Sequence, residues 1–430
     1  MKQTHKSTKR GFTLLEVLLV IAAIGILASI VLVAINPNRQ INQARQAAIS
    51  SEKNAIEKAL QQELIDTGNY PSSIDGVQRK ICSSTVTTDC IDITTDLAPN
   101  YMAAIPTGGT YTVARGNDGR VYVNTSTTAA NLTCPTGYIP VPGNSLYQTK
   151  DFCVMKYEAK AVATSAPTVG LTTPTTGFNT IANNTTATTA ANGRTIASVA
   201  SGYPIANIDQ PTAASYCTTA GASLITNAEW MTIARNIEAQ PSNWRNGVIG
   251  SVDTSPTNGG LYRGHSDNNP ANALAANTDD NLGYEGTGNA NETPVSRERR
   301  THTLSNGEVI WDLSGNVWEW TNNTILGKDQ PTGSSTGWIW REYNTGQSNS
   351  ITNFGTLSRD LIGPSNSNWG STQNMGQIYS DGTSTSNTSY AFLRGGFWNF
   401  SSNAGVFTLG LHFGASSVAG NYIGFRCVLR

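Results

Sequence analysis

Charge is scarce in this sequence. Of its 430 residues only 13% are Asp, Glu, Lys or Arg, and the net charge is −1, whereas globular chains usually carry about a quarter. No basic face is available to neutralise phosphates, which excludes a sequence-independent nucleic-acid binder. Acidic and basic tails are missing too. With four His, an imidazole-rich metal site is not expected, and His265, His302 and His412 sit in no nucleophile motif. No C-x-x-C occurs, which weakens a zinc or thioredoxin-type reading. Thr, Ser, Asn and Gly are plentiful instead, with 41 Gly, and suit a loop-rich, neutral-polar, extracellular surface. The nine Trp run from Trp230 to Trp398, so the aromatic-rich part lies in the second half. At roughly 150 residues per domain, the length suggests about three units.

The opening MKQTHKSTKRG is basic, and Phe12 to Ile35 is almost wholly apolar. As a helix rising ~1.5 Å per residue, that run of roughly 24 residues spans ~36 Å, enough for a ~30 Å hydrocarbon core. Lys2, Lys6, Lys9 and Arg10 put its start on the cytoplasmic side. The run is too long for a signal peptide, and no A-x-A site follows it. Glu16 breaks it with a carboxylate that needs a partner inside a membrane. The stretch Lys9-Arg10-Gly11-Phe12-Thr13-Leu14-Leu15-Glu16-Val17 resembles the type IV pilin and pseudopilin family. The resemblance implies cleavage after Gly11 by a prepilin peptidase and methylation of the new N-terminal Phe12. It also implies that Glu16 pairs with the terminal amine of a neighbouring pilin subunit, removing an otherwise uncompensated charge. The protein would sit in the inner (cytoplasmic) membrane through this helix before assembly, then outside the cell on a pilus or the cell surface.

Beyond the membrane, Ile41, Ala44, Ala48, Ala55, Ile56, Ala59, Leu60 and Leu64 recur at helical spacing. Pro37 should kink or loosen this helix, and Gly68 and Pro71 should end it. The expected layout is a leader at 1–11, a membrane and spine helix at 12–65, and a small β head or connector at 66–130. In the head, Tyr111-Thr-Val and Val121-Tyr-Val read as strands around the turn Gly116-Asn-Asp-Gly119.

Six cysteines in an exported chain favour disulfides. Proximity suggests Cys82–Cys90 in the head and Cys134–Cys153 at the start of the next domain. Cys217–Cys427 would then staple that domain's early helix to its last strand. Connectivity stays open, and free buried thiols are the alternative for some of the six.

From Cys134 the chain reads CPTGYIPVPGN and then Phe152-Cys-Val-Met-Lys-Tyr-Glu158. Residues from about 160 to 200 are Thr, Ala and Asn in low complexity, which reads as a flexible surface excursion. Thr226 or Asn227 can cap a helix carrying Trp230, Ile233 and Ala234. Trp311-Asp-Leu-Ser-Gly-Asn-Val-Trp-Glu-Trp320, Phe392-Leu-Arg-Gly-Gly-Phe-Trp398 and Ile423-Gly-Phe-Arg-Cys427 follow in series. In that order the motifs resemble the formylglycine-generating-enzyme (sulfatase-modifying-factor) family over residues 134–430. The resemblance implies a variant C-type lectin fold, so the whole chain is expected to be α+β, a long pilin helix with a small β head followed by a loop-rich lectin-like domain. It also implies pairing of Cys217 with Cys427, in the YC and FRC motifs.

The family's catalysis does not carry over. Its two active-site cysteines lie between the RGG-x-W and GFRC motifs, and Arg394 to Arg426 contains none. Thiolates are needed there for copper and redox chemistry, so no enzyme and no catalytic residue are expected. An exported formylglycine-type oxidase is the least favoured alternative. The same resemblance implies a structural calcium site, with Asp312 and Glu319 contributing carboxylates and Gly315 and Val317 backbone oxygens. Hydrogen-bonded turn residues are the plainer reading of both acids.

The segment within 394–427 also resembles the variable region of proteins diversified by retroelements. Trp398, Val406, Phe407, Leu409, Leu411 and Phe425 would form a buried frame. Phe397, Asn399, Phe400, Thr408, Gly410, His412, Phe413, Val418, Gly420, Asn421 and Tyr422 would vary on the surface. Randomising the first two bases of AAC-type codons cannot give Met, Trp, Lys, Gln or Glu, and all eleven positions obey that exclusion. Aromatic residues and Asn at such positions suit recognition. The expected ligand is a protein on another cell or a phage. A minor pilin with an invariant adhesive domain is the runner-up.

Overall fold

The computed structural model describes residues 37–75, 79–82, 90–106, 110–115, 119–126, 132–163, 165–170, 194–254, 258–276, 297–417 and 420–430. Gly11, Phe12, Glu16 and the apolar run therefore lie outside the described residues, as do the turn residues 116–118 and Val418. Among the described residues no helix is long and apolar enough to cross a membrane. The chain divides into two compact units, residues 1–52 and 53–430.

The first described element is the helix Pro37–Thr67. It ends at Gly68, which takes a positive φ of 76° and donates its N–H to Leu64 O, a conformation that glycine adopts without steric penalty. Ile56, Ala59 and Leu60 are buried, but Ala48 and Ala55 are exposed. The side chains of Ile41 and Ala44 lie outside the described ones; among those described, the larger apolar residues of the series are buried or half-buried, while an alanine fits either environment. The head that follows is a four-stranded sheet in the order Cys90–Ile91, Arg79–Ile81, Thr110–Arg115, Val121–Ser126. The last two pair antiparallel from Thr110↔Ser126 to Arg115↔Val121, and Cys82 bonds to Cys90.

The larger module begins at a second four-stranded sheet. Its order is Ser223–Leu224, Cys427–Leu429, Phe152–Met155, Tyr138–Val141. The chain's last strand thus lies between two early ones, with Leu224 opposite Cys427 and Val428 opposite Val154. Disulfides clasp this sheet twice, Cys134–Cys153 and Cys217–Cys427. The helix Asn227–Glu238 packs on it through Trp230, Ile233, Ala234 and Ile237, none of them exposed. Thr226 caps that helix and Glu229 closes a reciprocal capping box by accepting from the Thr226 N–H at 2.8 Å.

A six-stranded sheet runs Trp338–Arg341, Ile378–Asp381, Leu409–Gly410, Ser389–Arg394, Trp318–Leu326, Ile423–Phe425. It brings the three motifs of the second half side by side. Trp318, Trp320, Leu393 and Phe425 share one buried cluster with Cys217 and Cys427. The low-complexity stretch is a partial correction. Lys160–Ala163 is a strand, with Lys160, Ala161 and Val162 essentially unexposed, paired to Arg194–Ala197 and Ala166–Gly170. Pairing of the backbone on both sides, with Lys160 Nζ donating to Ala200 O at 2.9 Å, holds this strand without an apolar period of its own. Residues 171–193 lie outside the described residues.

Candidate ligand-binding face

Arg394 fixes the start of the face from below. It is unexposed, and its guanidinium donates to Asn227 Oδ1, to Phe407 O at 3.0 Å and to Ile362 O at 3.1 Å. Gly395 and Gly396 then turn the chain with φ of 88° and 83°, values that a side chain would strain. Trp398 goes inward at 5% exposure, donating its N–H to Asn316 O. Val406, Phe407, Leu409, Leu411 and Phe425 are all unexposed. The frame expected from the sequence is therefore buried throughout.

Above the frame, Phe397 stacks on Tyr422 at 4.8 Å and meets Phe400 at 4.2 Å. Phe400 stands edge-on to Trp340 at 5.1 Å and to Trp318 at 5.3 Å. His412 meets Phe413 at 4.2 Å and Tyr379 at 5.0 Å. Phe397, Phe400, His412, Phe413, Gly420, Asn421 and Tyr422 are partly exposed, and Asn399 is exposed. Burial pulls the His412 pKa down to about 4, so its ring is neutral at physiological pH. The result is an uncharged aromatic surface whose edges are fixed by ring-to-ring packing, where edge and offset contacts are favoured.

Two expected variable positions are corrected. Thr408 is unexposed and donates its hydroxyl to Asn403 O at 2.6 Å. Gly410 lies in a strand paired on both sides, and a Cβ there would come within 3.2 Å of the Trp318 and His412 rings. Alternation places position 410 opposite Leu409 and Leu411, but that opposite side is itself covered by Trp318. Three aromatic residues were missed. Trp338, Trp340 and Tyr379, on neighbouring strands, are partly exposed and touch the same surface, with Trp340 5.0 Å and Trp338 5.8 Å from Tyr379. The signal for them is W-x-W at 338–340, which a strand projects to one side.

The calcium expectation does not fit the residues present. Asp312 is held by Arg300 through both oxygens, at 2.6 and 2.7 Å. Glu319 is held the same way by Arg426, Nε to Oε2 being 2.6 Å. Each of the two carboxylates is thus engaged through both of its oxygens by a guanidinium. Between and at the two expected backbone ligands, the Asn316 side chain and the Val317 N–H donate to Glu158. Burial first, then the charges of Asp312 and Glu319, raises the Glu158 pKa well above its ordinary value. Asp312 and Glu319 are thus ion-paired inside the module, with the Val317 N–H on Glu158, while the Gly315 N–H donates to Gly395 O at 3.1 Å. His302 is also structural, with Nε2 on Tyr262 O at 3.0 Å and its pKa lowered to about 3 by burial. All six cysteines are in disulfides, so none is a free thiolate.

Fold and face define an extracellular-type α+β module clasped by disulfides and presenting an aromatic surface. The chain belongs to the family of sulfatase-modifying factor enzyme 1-like domains, whose sequence model matches residues 136–430. The lectin-like class expected for 134–430 follows from that membership. The prokaryotic N-terminal methylation motif matches residues 6–32. Type II secretion system core protein G of Klebsiella michiganensis is 31% identical over 123 residues, covering 28% of this chain and 85% of that protein. The core protein G of Escherichia coli is 30% identical over 130 residues, covering 28% and 81%. Among solved structures, the Major Tropism Determinant P3c variant is similar with a TM-score of 0.30 at 15% identity, covering 84% of this chain and 73% of that one. The U1 variant has a TM-score of 0.29 at the same identity and coverage. That likeness is too distant to bear on function.

Proposed function

We propose that this protein is a pilin-like subunit, anchored in the membrane and then displayed outside the cell among other pilin subunits, whose C-terminal module captures a protein ligand through the aromatic face. The module acts by binding, and a retroelement varies the face at Phe397, Asn399, Phe400, His412, Phe413 and 420–422. The observation that carries this reading is the division of one short segment into a buried frame and an uncharged half-exposed aromatic surface. Rigid aromatic anchors dominate many interfaces, because they contribute area with few torsions to freeze.

The paired test is stability against capture. Phe407→Ala is expected to cost ~3–5 kcal/mol by leaving a cavity, read as a loss in urea melts. Tyr422→Ala and Asn399→Ala are expected to cost about 1 kcal/mol or less, while capture of cells or phage by the displayed module falls at least tenfold for Tyr422→Ala. If stability follows the face residues and capture ignores them, the reading is wrong. Sequences of sibling genes give the second arm: changes concentrated at the named positions support diversification, and uniform siblings favour an invariant adhesin. A third measurement concerns assembly. Mass spectrometry of assembled material is expected to find Phe12 as the methylated N-terminus, and an intact Met1 would remove the pilin part of the proposal.

A further inference from the structure

Beneath the aromatic face lies a loop whose polar groups are not explained by folding alone. Gly264 and Gly315 lock it in place: a Cβ on the first would fall 2.0 Å from Ser314 O, and one on the second 2.2 Å from His265 O. Ser401 donates its N–H to Ser266 O at 2.8 Å, and Asn268 donates to Trp398 O at 2.6 Å. The loop therefore carries the segment 398–401 on its back.

His265 in this loop has no exposed surface. Its Nε2 is 3.1 Å from Pro270 O and 3.0 Å from Asn272 O. Both partners are carbonyls and only accept, so Nε2 carries the hydrogen and Nδ1 is left as a lone pair. Nδ1 has no hydrogen-bond partner, and an oxygen of Asp267 lies 3.5 Å from it. Two acceptors face each other with no hydrogen between them. Glu298, 3% exposed, supplies a third. Its carboxylate accepts from the Ser266 N–H at 2.7 Å and from the Ser266 hydroxyl, and Arg263 stays 3.7 Å away. One ligand atom from each of His265, Asp267 and Glu298 lies within 4.8 Å of the other two. Burial first, then the charge of Arg300, holds the His265 pKa below its usual value, and burial pushes Glu298 up to about 7 against the opposing charge of Arg263.

We propose that His265 Nδ1, Asp267 and Glu298 form a site for a divalent transition cation of the zinc type. A nitrogen with two carboxylates suits such an ion better than calcium or magnesium, which prefer oxygen alone. The surroundings are those of a metal-binding histidine: its other nitrogen is oriented by backbone carbonyls and a ligating carboxylate is oriented by Ser266. Asp267, whose side chain is 30% exposed, gives the ion a way in and leaves room for water in the remaining position. Bound there, the ion pins the loop that supports Trp398 and Ser401.

The test uses the full chain in detergent, stripped with chelator and titrated with Zn2+ alone, then with Co2+ for its visible absorption. One ion per chain is expected, with a rise in Tm on binding. Asp267→Asn, which changes a solvent-facing group, and Glu298→Gln, which keeps the Ser266 contact, should each weaken binding at least tenfold and cancel the Tm rise. Metal-free melts of the same variants show whether they fold. Zn2+ retained equally by wild type and by folded Asp267→Asn, or no ion retained at micromolar Zn2+, overturns the site whatever the face above it binds.

Discussion

Replacing Cys217 and Cys427 by alanine is expected to cost about 5 kcal/mol, the largest loss among the three disulfides. The bond closes a separation of 210 residues, and in the chain-entropy picture the constraint on the unfolded state grows with the length of the closed loop. Both sulfurs are fully buried, between the helix Gln210–Thr219 and the central strand of the terminal sheet. Alanine leaves no unsatisfied hydroxyl in that apolar cluster, so the measured loss reports mainly the crosslink. The contrast is internal. Cys134–Cys153 spans 19 residues and Cys82–Cys90 spans 8, so breaking the first should cost ~3 kcal/mol and the second less. Urea melts of the three double-alanine variants check the order. A Cys217/Cys427 variant no less stable than the Cys134/Cys153 variant would contradict it.

Local signals were legible where one residue type has one physical use. Thr226 followed by Glu229 marks the helix start, and Gly68 marks the end of the helix Pro37–Thr67. Alternation in 110–115 and 121–126 marks a hairpin, and bulky apolar residues spaced through 398–425 mark the frame. What was not legible depends on distant pairing. The six-stranded sheet uses strands as short as Leu409–Gly410, which carry no period of their own. Lys160–Ala163 reads as loop because a lysine among alanines carries no apolar period, yet it is buried between two partners.

For the face, the same contrast holds residue by residue. Phe397, Phe400 and Tyr422 emerge from the segment's own pattern, whereas Trp338, Trp340 and Tyr379 come from strands that only tertiary structure sets beside it. Thr408 and Gly410 look variable in sequence because their neighbours are frame residues. Their constraint comes from Asn403 and Trp318, which no local spacing reveals. The acids of the D-x-x-G-N-V-W-E turn misled for a related reason: a carboxylate placed for calcium and one placed for arginine look alike until Arg300 and Arg426 are located.

Arg426→Met is expected to destabilise the module by ~3–5 kcal/mol, the cost of removing one partner from a buried ion pair. Arg426 is unexposed and holds both oxygens of Glu319, also unexposed. It donates as well to Met155 O at 3.2 Å, Trp311 O at 3.1 Å and Asp312 O at 3.3 Å. One side chain thus joins the last motif of the sequence to the strand Phe152–Met155 and to the Trp311–Trp320 turn. Without it, Glu319 keeps the burial that already raises its pKa and loses the charge that opposes it. The carboxyl must then take a proton to stay inside. Because its folded pKa rises above the unfolded value, the variant's deficit should shrink as pH falls towards the ordinary carboxylate range and grow as pH rises. Glu319→Leu combined with Arg426→Met should recover much of the loss, since an apolar pair of similar volume carries no unpaired charge. Urea melts of wild type, the single variant and the double variant, at two pH values, measure all three expectations. Calcium added to the chelator-stripped wild type should leave the Arg426-dependent stability unchanged; a calcium-dependent gain lost in Glu319→Gln would show instead that this carboxylate leaves the guanidinium for an ion.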